Sequence, residues 1–154
     1  MRRIDEIDYK ILTILQEKAR VPNAEIARQV GMAPSAVLER IRKLEERGII
    51  DGYEVRLNPE VFHQGSLAFV HLSIHQGCAT ELTKALMSIT GVQDIHQIAG
   101  EDGYLLKLRV ADNAELGRIL AEEIGALAGV HHTRTHIVLK TVKETRKITL
   151  NPSD

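Results

Sequence analysis

The side chains with the clearest chemical potential stand between Ser35 and Arg47. Ala36, Arg40, Lys43 and Arg47 recur at helical spacing, opposite an apolar stripe of Val37, Ile41 and Leu44. Guanidinium and ammonium groups in a row along one helix face are suited to phosphates, and guanidinium also to base edges. The residues nearest the start of this face, Ser35 and Ala36, are small. Small residues let a helix N-terminus approach base edges, and the basic residues further along reach phosphates. The same pattern also describes a helical hairpin whose charged face is merely solvated.

A second group of reactive side chains is the seven histidines, all beyond residue 62. Alternation puts His71 and His75 on one face of a strand, and His132 and His136 on the same face of another. Neighbouring imidazoles at that spacing can bind zinc, nickel or copper, or titrate near neutrality. As surface or interface residues they need do neither, and no metal or cofactor is expected. The single cysteine, Cys78, excludes internal disulfides and cysteine-rich metal sites. It precedes a predicted helix, whose dipole can lower a thiol pKa, but it reads as a spare surface thiol.

Residues 35–47 need a scaffold, and the sequence predicts one. Ile4, Ile7, Ile11, Ile14 and Leu15 form the stripe of a first helix, which Asp5 can cap. Val21-Pro22 breaks it. Asn23 is expected to cap a second helix with Ile26, Ala27 and Val30 on its buried side. Gly31 ends that helix, Pro34 starts the next, and Gly48 closes it. Three helices by residue 47, the last exposed, have the form of a helix-turn-helix with Pro34–Arg47 as recognition helix.

Residues 51–66 read as a connector. Tyr53, Val55 and Leu57 alternate as a short strand that needs a partner, which a second copy of the chain would supply. Beyond it the periodicity gives a strand from Ala68 to Ile74 and a helix through Leu82–Ile89. Strands follow at 92–99 and 104–110, then a helix through Leu116–Leu127 and a strand at 130–142. Residues 146–150 read as a further edge strand. The order βαββαβ is the ferredoxin-like split unit, with helices on one sheet face. The other face, with Phe69 and Leu105, is expected to be too apolar to leave wet. Pairing two sheets would cover it and set two recognition helices about 34 Å apart, for successive major grooves. The expected fold class is therefore α+β. Its domains are 1–50 (helix-turn-helix), 51–66 (connector) and 67–154 (βαββαβ).

The charge is weakly divided. Residues 1–50 hold ten Lys/Arg against eight Asp/Glu, and the remainder ten against thirteen. So slight a bias disfavours a sequence-blind coat on DNA and suits selective binding through a locally basic face. No run of eighteen apolar residues and no signal-peptide core occur, so no membrane association and a cytoplasmic, nucleoid-associated location are expected. No nucleophile–base pair, P-loop, dinucleotide fingerprint or metal-protease motif is present, so no enzyme is expected.

Five segments together resemble the Lrp/AsnC family of regulators. They are I-D-E-I-D-Y-K-I-L at 4–12, L-E-R-I-R-K-L-E-E-R-G-I-I at 38–50, G-Y and L-N-P at 52–53 and 57–59, A-G-E-D-G-Y-L-L-K-L-R-V at 99–110, and G-V-H-H-T-R-T at 129–135. The resemblance covers about residues 4 to 150. It implies a transcription regulator with a βαββαβ domain of the RAM type, which dimerises, often forms octamers and often binds an amino acid. It places Ser35, Ala36, Glu39, Arg40 and Lys43 in the major groove of double-stranded DNA, with Arg42 and Arg47 as phosphate contacts. It also implies an effector site at Gly100, Glu101, Asp102, Gly103 and Tyr104, joined by Thr133 and Thr135. There, glycine would admit a ligand carboxylate to backbone N–H groups, and acidic side chains would receive its ammonium. Two departures stand out. Ala33 replaces the serine that usually caps the recognition helix. Gly103 stands where the family pattern Gly-Asp-x-Asp-Tyr has its second acid, which predicts effector binding altered in specificity or lost. The alternative to an effector-gated regulator is an architectural, DNA-wrapping protein of the same fold without an effector.

Overall fold

A computed structural model describes residues 4–75, 79–100 and 103–151. The chain divides into two compact units. One runs to Arg56 and takes in the tail from Glu144. The other is Leu57–Lys143.

In the first unit, α1 (Glu6–Glu17) begins with a reciprocal cap. Asp5 Oδ1 accepts from the Asp8 N–H at 2.9 Å, and Asp8 Oδ2 accepts from the Asp5 N–H at 3.2 Å. The second helix, α2, is Asn23–Val30, and its cap is Pro22 rather than Asn23. Asn23 is already helical, because the extended backbone that a cap requires is held by the proline one residue earlier. Gly31 follows in the left-handed region (φ +71°), where a Cβ would be strained. The third helix, α3, is Pro34–Glu46. Ala33 precedes it in extended conformation and offers no side-chain cap. Ile11, Ile26, Ala27, Val37 and Ile41 form the buried centre, with Ile7, Ile14, Val30 and Ile50 packed against it. Burying five such side chains is what holds helices this short in place.

The connector forms no strand within one chain, and Val55 is 84% exposed. Its alternation has no partner to pair with, so backbone pairing cannot form. Tyr53 donates from its hydroxyl to Glu45 Oε1 of α3 at 2.8 Å. Burial, then that carboxylate, pushes the phenol up to about 12. The expected edge strand at 146–150 is also absent. This segment groups with the helices instead: the Gln16 side chain accepts from the Ile148 N–H at 2.8 Å and donates to its carbonyl at 3.2 Å. Lys147 reaches Glu17 at 2.7 Å.

The second unit opens with a 3₁₀ turn, Pro59–Phe62, capped by Asn58. Then come β1 (Ser66–Ile74), α4 (Ala79–Met87), β2 (Val92–Gln97) and β3 (Tyr104–Val110). The next helix, α5 (Asn113–Arg118), runs on as one π-helical stretch, Ile119–Ile124. The last strand, β4 (Val130–Ile137), stops five residues short of the expected end. The antiparallel sheet has the order β2-β3-β1-β4. Ala68, Val70, Leu72, Tyr104, Leu106, Leu108 and Val110 face Leu82, Leu86, Leu116, Ile119 and Ile124 in the core. The opposite face is less apolar than expected. Phe69 and Leu105 stand there half-buried, but the register sets them among His71, Ser73, Lys107, Arg109, Arg134 and His136.

Candidate nucleic-acid interface and effector loop

The recognition helix α3 buries Val37, Ile41 and Leu44, at 0%, 7% and 1% exposure. At 100° per residue this leaves Ser35, Glu39, Arg42 and Glu46 pointing outward, with Lys43 beside them, and all five are exposed. Ala36 is half-buried on the flank, and Arg47 half-buried at the C-cap. Two cations of the outer face are held by carboxylates one turn away. Lys43 lies 3.0 Å from Glu39, and Arg42 lies 3.1 Å from Glu46. The Lys43 ammonium holds the Glu39 carboxyl below its ordinary range. Such exposed pairs are weak and salt-screened, so phosphates can take over their cations at small cost.

Arg40 is not on this face. Its side chain is 19% exposed, and its Nη1 donates to Asp5 Oδ2 and Asp8 Oδ1, each at 2.7 Å. The expectation of an exposed reading residue is thereby corrected. Arg40 lies three residues after Val37 and four before Leu44, so helical geometry sets it on the flank of the buried stripe, towards α1. The same spacing is legible in the sequence. The opposite omission is Leu38, which is 55% exposed beside Arg42 and Ser35. Its apolar type sets it apart from the polar groups that mark this face.

The effector loop is described at its two ends, and Glu101 and Asp102 lie outside the described residues. Gly100 has φ +131°, a conformation that favours glycine. The Gly103 carbonyl accepts from the Ile98 N–H at 3.0 Å, which closes the turn between β2 and β3. Tyr104 is 5% exposed and belongs to the core. It pairs with Leu72 on β1, which in turn pairs with Thr133 on β4; Thr135 pairs with Val70 one row along. Thr133 and Thr135 therefore share the helix-facing side of the sheet with Tyr104 and stand half-buried on an edge strand. The row places Tyr104 and Thr133 on either side of Leu72 rather than in contact.

Of the four histidines expected together, His71 and His136 meet edge to face, with ring centroids 5.5 Å apart. His75 instead meets His131 at 5.2 Å, and His132 stands opposite Ser73. The register shift after Ser73 exchanges His132 for His131 at that end of the strand. Among the described residues, no three His, Cys, Asp or Glu side chains converge as a metal set. Cys78 lies outside them. No helix among them is long and apolar enough to cross a membrane.

Comparison with known proteins agrees with both units. Residues 4–51 match a family described as winged helix-turn-helix DNA-binding, and residues 67–148 match the Lrp/AsnC ligand binding domain. The leucine-responsive regulatory protein of Haemophilus influenzae is 36% identical over 97% of this chain and 92% of its own length. Its Escherichia coli counterpart is 35% identical over 96% and 92%. Among solved structures, a Neisseria meningitidis transcriptional regulator in complex with L-methionine superposes with a TM-score of 0.90 at 30% identity, covering 97% of this chain and 98% of that one. AsnC of E. coli gives 0.88 at 25% identity, with 96% and 99% covered. A helix-turn-helix with a polar outer face and a one-sided βαββαβ sheet, matched over nearly the whole chain, make this protein a transcription regulator that belongs to the Lrp/AsnC family.

Proposed function

We propose that the protein binds two half-sites of double-stranded DNA as a two-fold homodimer, itself a unit of a larger assembly such as an octamer. In this reading α3 enters the major groove. Ser35, Ala36, Leu38 and Glu39 face base edges, while Arg42, Lys43 and Arg47 face phosphates. The carrying observation is the division of α3 itself: Val37, Ile41 and Leu44 are buried, and Ser35, Leu38, Glu39, Arg42 and Lys43 are open. The protein acts at the nucleoid, carries out no catalysis and needs no cofactor. Its ligand is an amino acid or a related small metabolite, held at the loop from Gly100 to Tyr104 with Thr133 and Thr135. The L-methionine complexes of two similar regulators make that ligand class the first to test.

Competition between a selected duplex and random DNA at one salt concentration tests the DNA half. A specificity ratio far above one is expected. A ratio near one would favour an architectural, wrapping role. Calorimetric titration with each of the twenty amino acids tests the other half. Absence of both heat and thermal shift would leave a regulator without that effector.

A further inference from the structure

We infer that Arg40 is a positioning residue, which fixes the recognition helix against α1 through a clamp with Asp5 and Asp8 and does not itself touch DNA. The inference rests on the reading of DNA by α3 proposed above.

Every carboxylate oxygen of the clamp has an assigned partner. Asp5 Oδ1 takes the Asp8 N–H and Asp5 Oδ2 takes Arg40. Asp8 Oδ2 takes the Asp5 N–H and Asp8 Oδ1 takes Arg40. One guanidinium is thus bound to the two side chains that cap α1, and the position of α3 is tied to the first turn of α1. The site is sheltered on one side: Asp8 is 5% exposed, the one buried charged side chain among the described residues, while the Asp5 side chain stays 39% exposed. Two carboxylates at a helix N-terminus also sit where the helix dipole favours negative charge. Removing one member of a sheltered ion pair leaves the other uncompensated, so the clamp has one favoured geometry. Arg40 is flanked in sequence by Glu39 and Ile41, and Arg42 is two residues on. Any rotation of α3 about its axis that the clamp prevents would carry Ser35, Glu39 and Arg42 with it. Reading groups must be held to within about 0.5 Å by such supporting contacts.

The test uses the full chain, a duplex selected by the wild-type protein from a random pool, and a random duplex. The variants are Arg40→Ala, Arg40→Lys, Asp8→Asn and the double variant Arg40→Ala/Asp8→Asn. Asp8→Asn keeps a cap acceptor but removes a negative charge from a DNA-binding unit, so simple electrostatics predicts tighter binding. The clamp predicts the reverse: affinity for the selected duplex falls about tenfold for Asp8→Asn and for Arg40→Ala. The double variant should be no weaker than Arg40→Ala, and Arg40→Lys should recover part of the loss. The salt slope should stay at its wild-type value. Binding is measured well below the melting temperature of each variant. If Asp8→Asn does not fold, Asp5→Asn carries the same prediction at smaller size, since the Asp5 side chain is 39% exposed. Asp8→Asn and Asp5→Asn binding as well as or better than wild type would overturn the clamp. So would a salt slope reduced by about one in Arg40→Ala, the mark of a phosphate contact. A wild-type protein that prefers no duplex would sink the reading beneath it, which is a different result from a selective wild type with indifferent Asp variants.

Discussion

Glu39 and Arg40 are adjacent in sequence and 100° apart around α3, and that angle separates their tasks. Glu39 stands outside beside Lys43, whereas Arg40 is drawn under the helix by Asp5 and Asp8. Leu38 stands on the open side. An apolar side chain there can meet the C5-methyl of thymine, which uracil lacks. In the selected duplex, replacing thymine by uracil at one position per half-site should weaken the wild type several-fold and leave Leu38→Ala indifferent. If no such position exists, or the variant is equally sensitive, Leu38 is not a reading residue. The clamp also sets a response to acid. The Asp8 amide, and with it the Arg40 guanidinium, holds the Asp5 carboxyl below the ordinary range. Because the folded value is the lower one, the stability it contributes is complete above about pH 4 and is lost as pH falls through the lowered value. The urea midpoint of the wild type should drop through that window, and Asp5→Asn should flatten the drop. Parallel acid profiles would refute this.

At the scale of elements, the two caps of the helix-turn-helix unit contrast. At α1 the cap is built from two side chains, while at α3 Ala33 leaves the first-turn N–H groups without a side-chain acceptor. The backbone of Ala33 is already extended (φ −71°, ψ 145°), as a capping residue requires. Ala33→Ser should therefore stabilise the unit by about 1 kcal/mol, seen as a higher denaturant midpoint with an unchanged m-value. No change in midpoint would show that Pro34 and solvent already satisfy that turn. The π-helical stretch from Ile119 is an element that side-chain periodicity does not reveal. One extra residue per turn shifts the stripe so that Ile119 and Ile124, five apart, both reach the core.

For the whole molecule, the connector is the segment with most left to gain. Tyr53, Val55 and Leu57 are 50%, 84% and 66% exposed, and no strand pairs with them in the single chain. An apolar, alternating segment with free backbone groups suits pairing with its own copy about a two-fold axis. Val55→Pro removes one N–H from such a ladder. Light scattering should show a smaller dimer fraction for this variant, with the helix content of the chain retained. An unchanged mass distribution would place the dimer seam elsewhere. The mixed polar face of the sheet, with its two histidine pairs, argues the same way. Phe69 and Leu105 stand half-buried there, so the sheet offers such a pairing little apolar surface of its own.

The order and type of nearly every element were legible in the sequence, because each depends on local period and punctuation. Ile11, Ile26 and Val37 declare helical faces, Gly31 and Pro34 the turn between them, and Val70 and Leu106 the alternation of buried strands. The family was legible too, from five short segments in fixed order. What the sequence left open were matters of partnership. Whether 53–57 pairs, whether 146–150 joins a sheet or lies along α1, and which histidine meets His75 depend on groups far away in the chain. Arg40 is the clearest case. Its charge and its place on a reading helix pointed to DNA, yet two carboxylates more than thirty residues earlier, set by the packing of α1, bind it first. Periodicity is a property of neighbours in sequence and can be read from them, whereas an ion pair is chosen among all the charges that the fold brings within reach, so only the tertiary structure decided it.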